Sequence, residues 1–180
     1  MIIRIIIACV LIWTVGQPAA ARADEQVYQA PDAFLAAAFG GSVPAAQALW
    51  IEPALRAELV DRYGWQPGLR VRFWRQEQRT AWILDEVGKD KPITAGFLIV
   101  NGAIEQAEVL VFRESRGWEI RHSFFTSQFS RAALTPRGDL DRRIDGITGA
   151  TLSVRAMERM ARVALKLHEQ SQRTTLAQHP

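Results

Sequence analysis

Apolar and polar positions along the chain change period twice. "PDAFLAAAFGG" predicts a short helix, opened by its proline and ended by Gly40-Gly41. "EPALRAELVDRYG" predicts a second helix of about three turns, with Leu55, Leu59, Val60 and Tyr63 on one face and Gly64 as the C-cap. The period then becomes two. "LRVRFWR" puts Leu69, Val71, Phe73 and Arg75 on one face, and "TAWILDEV", "ITAGFLIV" and "AIEQAEVLVFRE" are β-rich runs. Asn101-Gly102 separates the last two, a two-residue hairpin signal. These runs predict an antiparallel sheet of at least four strands. After Ile120 the chain reads as loop, through "RHSFFTSQFSRAALTPRGDLDRR". Helical spacing returns near Leu152: Leu152, Ala156, Met160, Val163, Ala164 and Leu167 form an apolar stripe, and Arg155, Glu158, Arg162 and Lys166 face outward. The polar stretch 171–180 predicts a flexible tail. A central antiparallel sheet with N-terminal helices and a C-terminal amphipathic helix is an α+β architecture.

The N-terminus follows neither period. Arg4 precedes an apolar run from Ile5 to Val15, and Ala21-Arg22-Ala23 has the small-x-small form of a cleavage site. A membrane span needs about 20 apolar residues, so residues 1–23 are read as a signal peptide. An uncleaved anchor and lipidation at Cys9 are the alternatives. Cys9 is the only cysteine, and cleavage would leave no thiol. The three histidines, His122, His168 and His179, show no metal-ligand spacing, so no metal site is expected. The net charge of +3 includes Arg4 and Arg22; without them 20 basic residues face 19 acidic ones. That balance argues against a nucleic-acid partner.

The candidate chemistry lies just before the last helix, in "DGITGATLS". A helix N-terminus carries unpaired N–H groups and partial positive charge, which suit a phosphate. Gly146 and Gly149 allow close backbone approach, Thr148, Thr151 and Ser153 bring hydroxyls, and Asp145 brings a carboxylate. Neither the P-loop nor the G-x-G-x-x-G spacing is present. On these residues alone the commoner reading of Thr151 is a helix cap.

"DGITGAT" fits D-x-x-[S/T]-G-A-T and resembles the flavinylation motif of the bacterial FMN-binding domain family. That family includes the covalent-flavin subunits of the sodium-pumping NADH:quinone oxidoreductase and of the ferredoxin:NAD oxidoreductase. Upstream, "ITAGFLIVNGAIEQAEVLVFRESRGWEI" is similar to the family's strand–turn–strand module. "FTSQF" resembles the aromatic-x-x-Q-F spacer that follows it. The resemblance spans Pro92 to Glu169. Glu114-Ser115-Arg116-Gly117-Trp118-Glu119 stands where the family often has E-T-P-G-L-G, so Arg116 and Glu119 depart from the pattern.

The resemblance implies an FMN-binding domain over 88–170, preceded by a helical and strand extension over 24–87. It implies FMN joined to Thr151 by a phosphoester, installed outside the cytoplasm by a flavin transferase that uses FAD. Asp145 would help recognition by the transferase, and Gly146, Thr148, Gly149, Ala150 and Leu152 would shape the attachment site. Glu114, Ser115, Gly117 and Trp118 are the expected seat of the flavin ring, with Arg116 either a cation for the flavin or a solvated turn residue. Trp50, Trp65, Trp74 and Trp82 read as core or sheet-surface residues, Lys89 and Lys91 as a charged turn, and His122 is given no catalytic role. The function implied is an exported electron carrier, periplasmic or on the outer face of the inner membrane, serving a membrane redox partner. No stand-alone catalysis is required. The alternative is a sensory or regulatory module that holds flavin non-covalently.

Overall fold

The computed structural model describes residues 25–178, with side chains described to Thr174. The signal-peptide reading of 1–23 falls outside these residues. Six strands form one antiparallel sheet: β1 (Gln26–Val27), β2 (Ala46–Trp50), β3 (Arg70–Gln76), β4 (Arg79–Val87), β5 (Pro92–Val100) and β6 (Ala103–Phe112). Their order across the sheet is β1-β6-β5-β4-β3-β2. Two helices come early, α1 (Pro31–Ala38) and α2 (Pro53–Asp61), each with proline in its first turn. The architecture is α+β, as the alternation predicts.

Asn101 and Gly102 turn β5 into β6 with φ of 51° and 79°, the left-handed pair that a two-residue hairpin requires. Strands β4 and β5 pair along their whole length, from Arg79↔Val100 to Val87↔Pro92. Past β6 the segment read as loop instead makes short helical turns: Trp118–Arg121, α3 (Ser123–Thr126) and Ser127–Phe129. Ile120, Phe125 and Phe129 are fully buried there, which fixes the turns against the sheet.

Helix α4 (Thr151–Gln178) lies across one face of the sheet, against β4, β5 and β6. Its Ala156, Met160, Val163, Ala164 and Leu167 are buried as the stripe predicts. Val154, Met157, Ala161 and Leu165 widen that stripe, so the helix is embedded rather than laid on the surface. Leu152 is the correction: at 43% exposed it stands outside the core and lines a cleft at the helix start instead. The end also differs, since the helix continues past Ser171, which is buried and donates to the His168 carbonyl at 2.7 Å. The opposite face of the sheet is covered by α1 and the residue after it: Phe34, Leu35, Ala38 and Phe39 meet Ala81, Leu98, Leu110 and Val111. Buried on both sides, β5 reads as an unbroken apolar run. Gly96 is its thinnest point, where a Cβ would come within 2.7 Å of the Phe34 ring.

Of the tryptophans, Trp82 and Trp65 are core residues, Trp74 is half-buried and Trp50 lies exposed on the sheet surface. Trp82 Nε1–H donates to Thr80 Oγ1 at 2.9 Å, and that hydroxyl lies 2.7 Å from His168 Nδ1. Burial, aided by the charge of Arg75 and opposed by Glu169, lowers His168 to about 4. The unfolded imidazole titrates near 6.5, so between these values the unfolded chain binds the extra proton. Stability should therefore be fully present above about pH 6.5 and decline as pH falls towards 4. Urea midpoints at pH 7.5, 5.5 and 4.5 measure this, and His168→Gln should flatten that part of the profile.

Candidate functional site

The loop before α4 is built by a turn. Ala150 N–H donates to the Ile147 carbonyl at 3.0 Å, and Gly149 takes φ of 84° as the third residue of that turn, a conformation that favours glycine. The Ala150 carbonyl then accepts from Val154 N–H at 2.9 Å, the first bond of the helix. Ala150 is thus the cap and Thr151 the first helical residue. Alanine has no side-chain oxygen, so it cannot satisfy the open N–H groups of the first turn. The cap reading of Thr151 therefore does not describe this helix. The threonine is exposed at the end of a 28-residue helix.

A cleft of about 590 Å³ opens beside it, lined by Lys89, Glu114, Ser115, Arg116 and residues 149–153. Glu114, Ser115, Gly149, Ala150, Thr151 and Leu152, all sequence candidates, meet there. Gly117 backs the cleft with φ of 87°, and a Cβ on it would collide with Ser153 Oγ and lie 3.4 Å from Ala150 Cβ. That close approach explains why a glycine stands there and why Ala150 is small and buried.

Four candidates, Asp145, Gly146, Thr148 and Trp118, sit elsewhere. The side chain of Asp145 is exposed, 4.0 Å from Arg143, and Gly146 and Thr148 lie on the exposed approach loop. Trp118, 42% exposed, turns its edge to His122 at 5.5 Å and has the Arg121 guanidinium 5.0 Å from its ring. It is outside the cleft lining. The two Arg121 stacks, on Trp118 and on Tyr28 at 4.5 Å, account for its placement.

Residues that the sequence reading passed over hold the site in shape. Asp145 N–H donates to Gln128 Oε1 at 2.6 Å, which ties the loop before α4 to the "FTSQF" segment. Arg142 donates to the Ser130 and Arg131 carbonyls at 2.6 and 2.8 Å, and Asp141 Oδ1 accepts from Ala133 N–H at 3.1 Å. The resemblance of "FTSQF" to an aromatic-x-x-Q-F spacer is the available sign of the glutamine's role; nothing in the sequence pairs Arg142 with those carbonyls. Lys89, read only as part of a charged turn, faces the cleft.

The sequence model of the FMN-binding domain matches residues 88–166. These residues are an FMN-binding domain. The match begins at the glycine that opens the β4–β5 turn and ends within α4, so it takes in both walls of the cleft and Thr151. No curated protein and no solved structure gives a significant match to the chain. FMN is accordingly the cofactor this domain is built for, and the protein is a flavin-binding protein. The residues present fit it: an exposed threonine at a helix start with no side-chain cap, two cations and an open cleft suit a phosphate-bearing ligand.

Proposed function

We propose that the protein carries FMN covalently on Thr151 and transfers electrons to or from a membrane redox partner outside the cytoplasm. The observation that carries this reading is the position of the Thr151 hydroxyl. The residue is exposed, stands at the first helical position behind Ala150, and lines the cleft of an FMN-binding domain. A capping or packing role would need the opposite, an oxygen turned onto the backbone or a buried methyl.

Attachment requires Thr151 Oγ1 to bond to the FMN phosphorus of FAD while the anhydride bond to the AMP half breaks. AMP leaves, and the hydroxyl proton passes to a base of the transferase. Bound there, FMN would supply one- and two-electron redox chemistry. The chain's own part is to hold the phosphate at the helix start, to place Lys89 and Arg116 beside the anion, and to leave the cleft open to a partner. Export rests on the apolar run Ile5–Val15 and the small-x-small site before Asp24. A covalent link suits an exported carrier, since it prevents loss of the cofactor by dilution.

The test is denaturation. The chain is produced in cells that export it together with a flavin transferase, then unfolded and filtered. Flavin that stays with the polypeptide supports the reading; flavin that appears in the filtrate replaces it with a non-covalent regulatory module.

A further inference from the structure

The turn between β4 and β5 is held by a single side chain from across the cleft. Glu114 Oε1 accepts hydrogen bonds from the backbone N–H groups of Lys89, Asp90 and Lys91 at 2.5, 2.7 and 2.9 Å. Successive amides aimed at one anion form a nest, and here the chain fills its own nest with a carboxylate. Gly88 makes the fit possible, because a Cβ there would lie 3.0 Å from the same oxygen and 3.1 Å from Ile93 Cδ1. The turn is closed by Gly88 N–H donating to the Lys91 carbonyl at 3.1 Å. Burial raises the Glu114 carboxyl, yet the amides of Lys91, Asp90 and Lys89, with the Lys89 charge, outweigh it and hold the group below its usual value. It stays ionised, and the nest stays filled, at neutral pH.

Glu114 thereby fastens one wall of the cleft, 114–117, to the other, the 88–91 turn. The residue that this fixing presents to the cleft is Lys89, which lines it with its ammonium 3.6 Å from Asp90 Oδ2. We infer that Lys89 is the cation that receives the FMN phosphate at Thr151, and that Glu114 is a positioning residue acting through Lys89 rather than a contact to the flavin ring. This inference rests on the reading of Thr151 as the attachment point.

Purified full-length chain is mixed with a flavin transferase and FAD, and the flavin adduct is followed over time by intact mass. Lys89→Gln should load about tenfold more slowly than wild type, the loss expected for one charge-assisted contact, and Lys89→Arg should restore most of the rate. Glu114→Ala should slow loading by a similar factor, and the double variant should be no slower than either single one. Amide exchange of the unloaded chain separates the two roles. Protection at residues 89–91 should fall in Glu114→Ala and stay at the wild-type level in Lys89→Gln. Wild-type loading rates in Lys89→Gln, or losses that multiply in the double variant, would overturn the inference while leaving the Thr151 reading intact. A wild-type chain that takes up no FMN would remove both.

Discussion

Replacing Thr151 by alanine is expected to abolish the covalent flavin and leave the fold intact. Produced alongside a flavin transferase, the wild type should carry the mass of FMN less water on the peptide that contains Thr151, and Thr151→Ala should carry none. The separation of the two effects follows from where the residue stands. Ala150, not Thr151, supplies the first helical acceptor, and the threonine side chain is exposed at the rim of the cleft. Its removal takes away no buried contact, so the stability change should stay within about 0.5 kcal/mol. Thr151→Ser keeps the nucleophilic oxygen and should load, more slowly because its χ1 is less restricted. An adduct that persists in Thr151→Ala, or a wild type without one, would end the proposal.

How much of this was legible beforehand depends on whether a feature is local. The β5–β6 hairpin is set by two adjacent residues, Asn101 and Gly102, and reads directly from them. The loop before α4 is likewise a local device, a turn that needs Gly149 followed by a helix, and it reads from adjacent residues. Strand β2 was missed because "AQALW" buries only Leu49 and so shows no alternation. Strand β1 is two residues long and takes its place from pairing with Val111 and Phe112, far off in sequence. The same distance hides the cleft. Glu114 was named for the flavin ring, yet its carboxylate is engaged by a turn 23 to 25 residues earlier. Lys89 looks like an ordinary charge until that turn is folded against Thr151. Leu152 fits the helical stripe by spacing alone, but spacing cannot say that it faces the cleft rather than the core.

The second large effect is expected at Gly117. Gly117→Ala should destabilise the protein and largely prevent flavin loading, through two separable causes. The first is conformational: φ of 87° lies in the left-handed region, which costs a residue with a Cβ about 1–2 kcal/mol. The second is steric: the new methyl would strike Ser153 Oγ and crowd Ser153 Cβ at 3.2 Å and Ala150 Cβ at 3.4 Å. Overpacking of this kind costs about 1–3 kcal/mol. Neither neighbour can give way cheaply, since both are fixed at the start of α4, Ser153 is buried and Ala150 lies in the main core. Relief must therefore come from the 114–118 segment lifting off the helix, which opens the cleft and draws Glu114 away from the 88–91 turn. Thermal melts should show a fall in Tm of about 5–15 °C. Ser153→Ala separates the causes, because it removes the colliding oxygen and leaves the backbone strain. The Gly117→Ala/Ser153→Ala pair should recover part of the Tm and most of the loading rate. A double variant that stays as unstable as Gly117→Ala would place the whole cost in the backbone. A Gly117→Ala protein that loads at the wild-type rate would show that the close seating of this segment on α4 is not what shapes the flavin site.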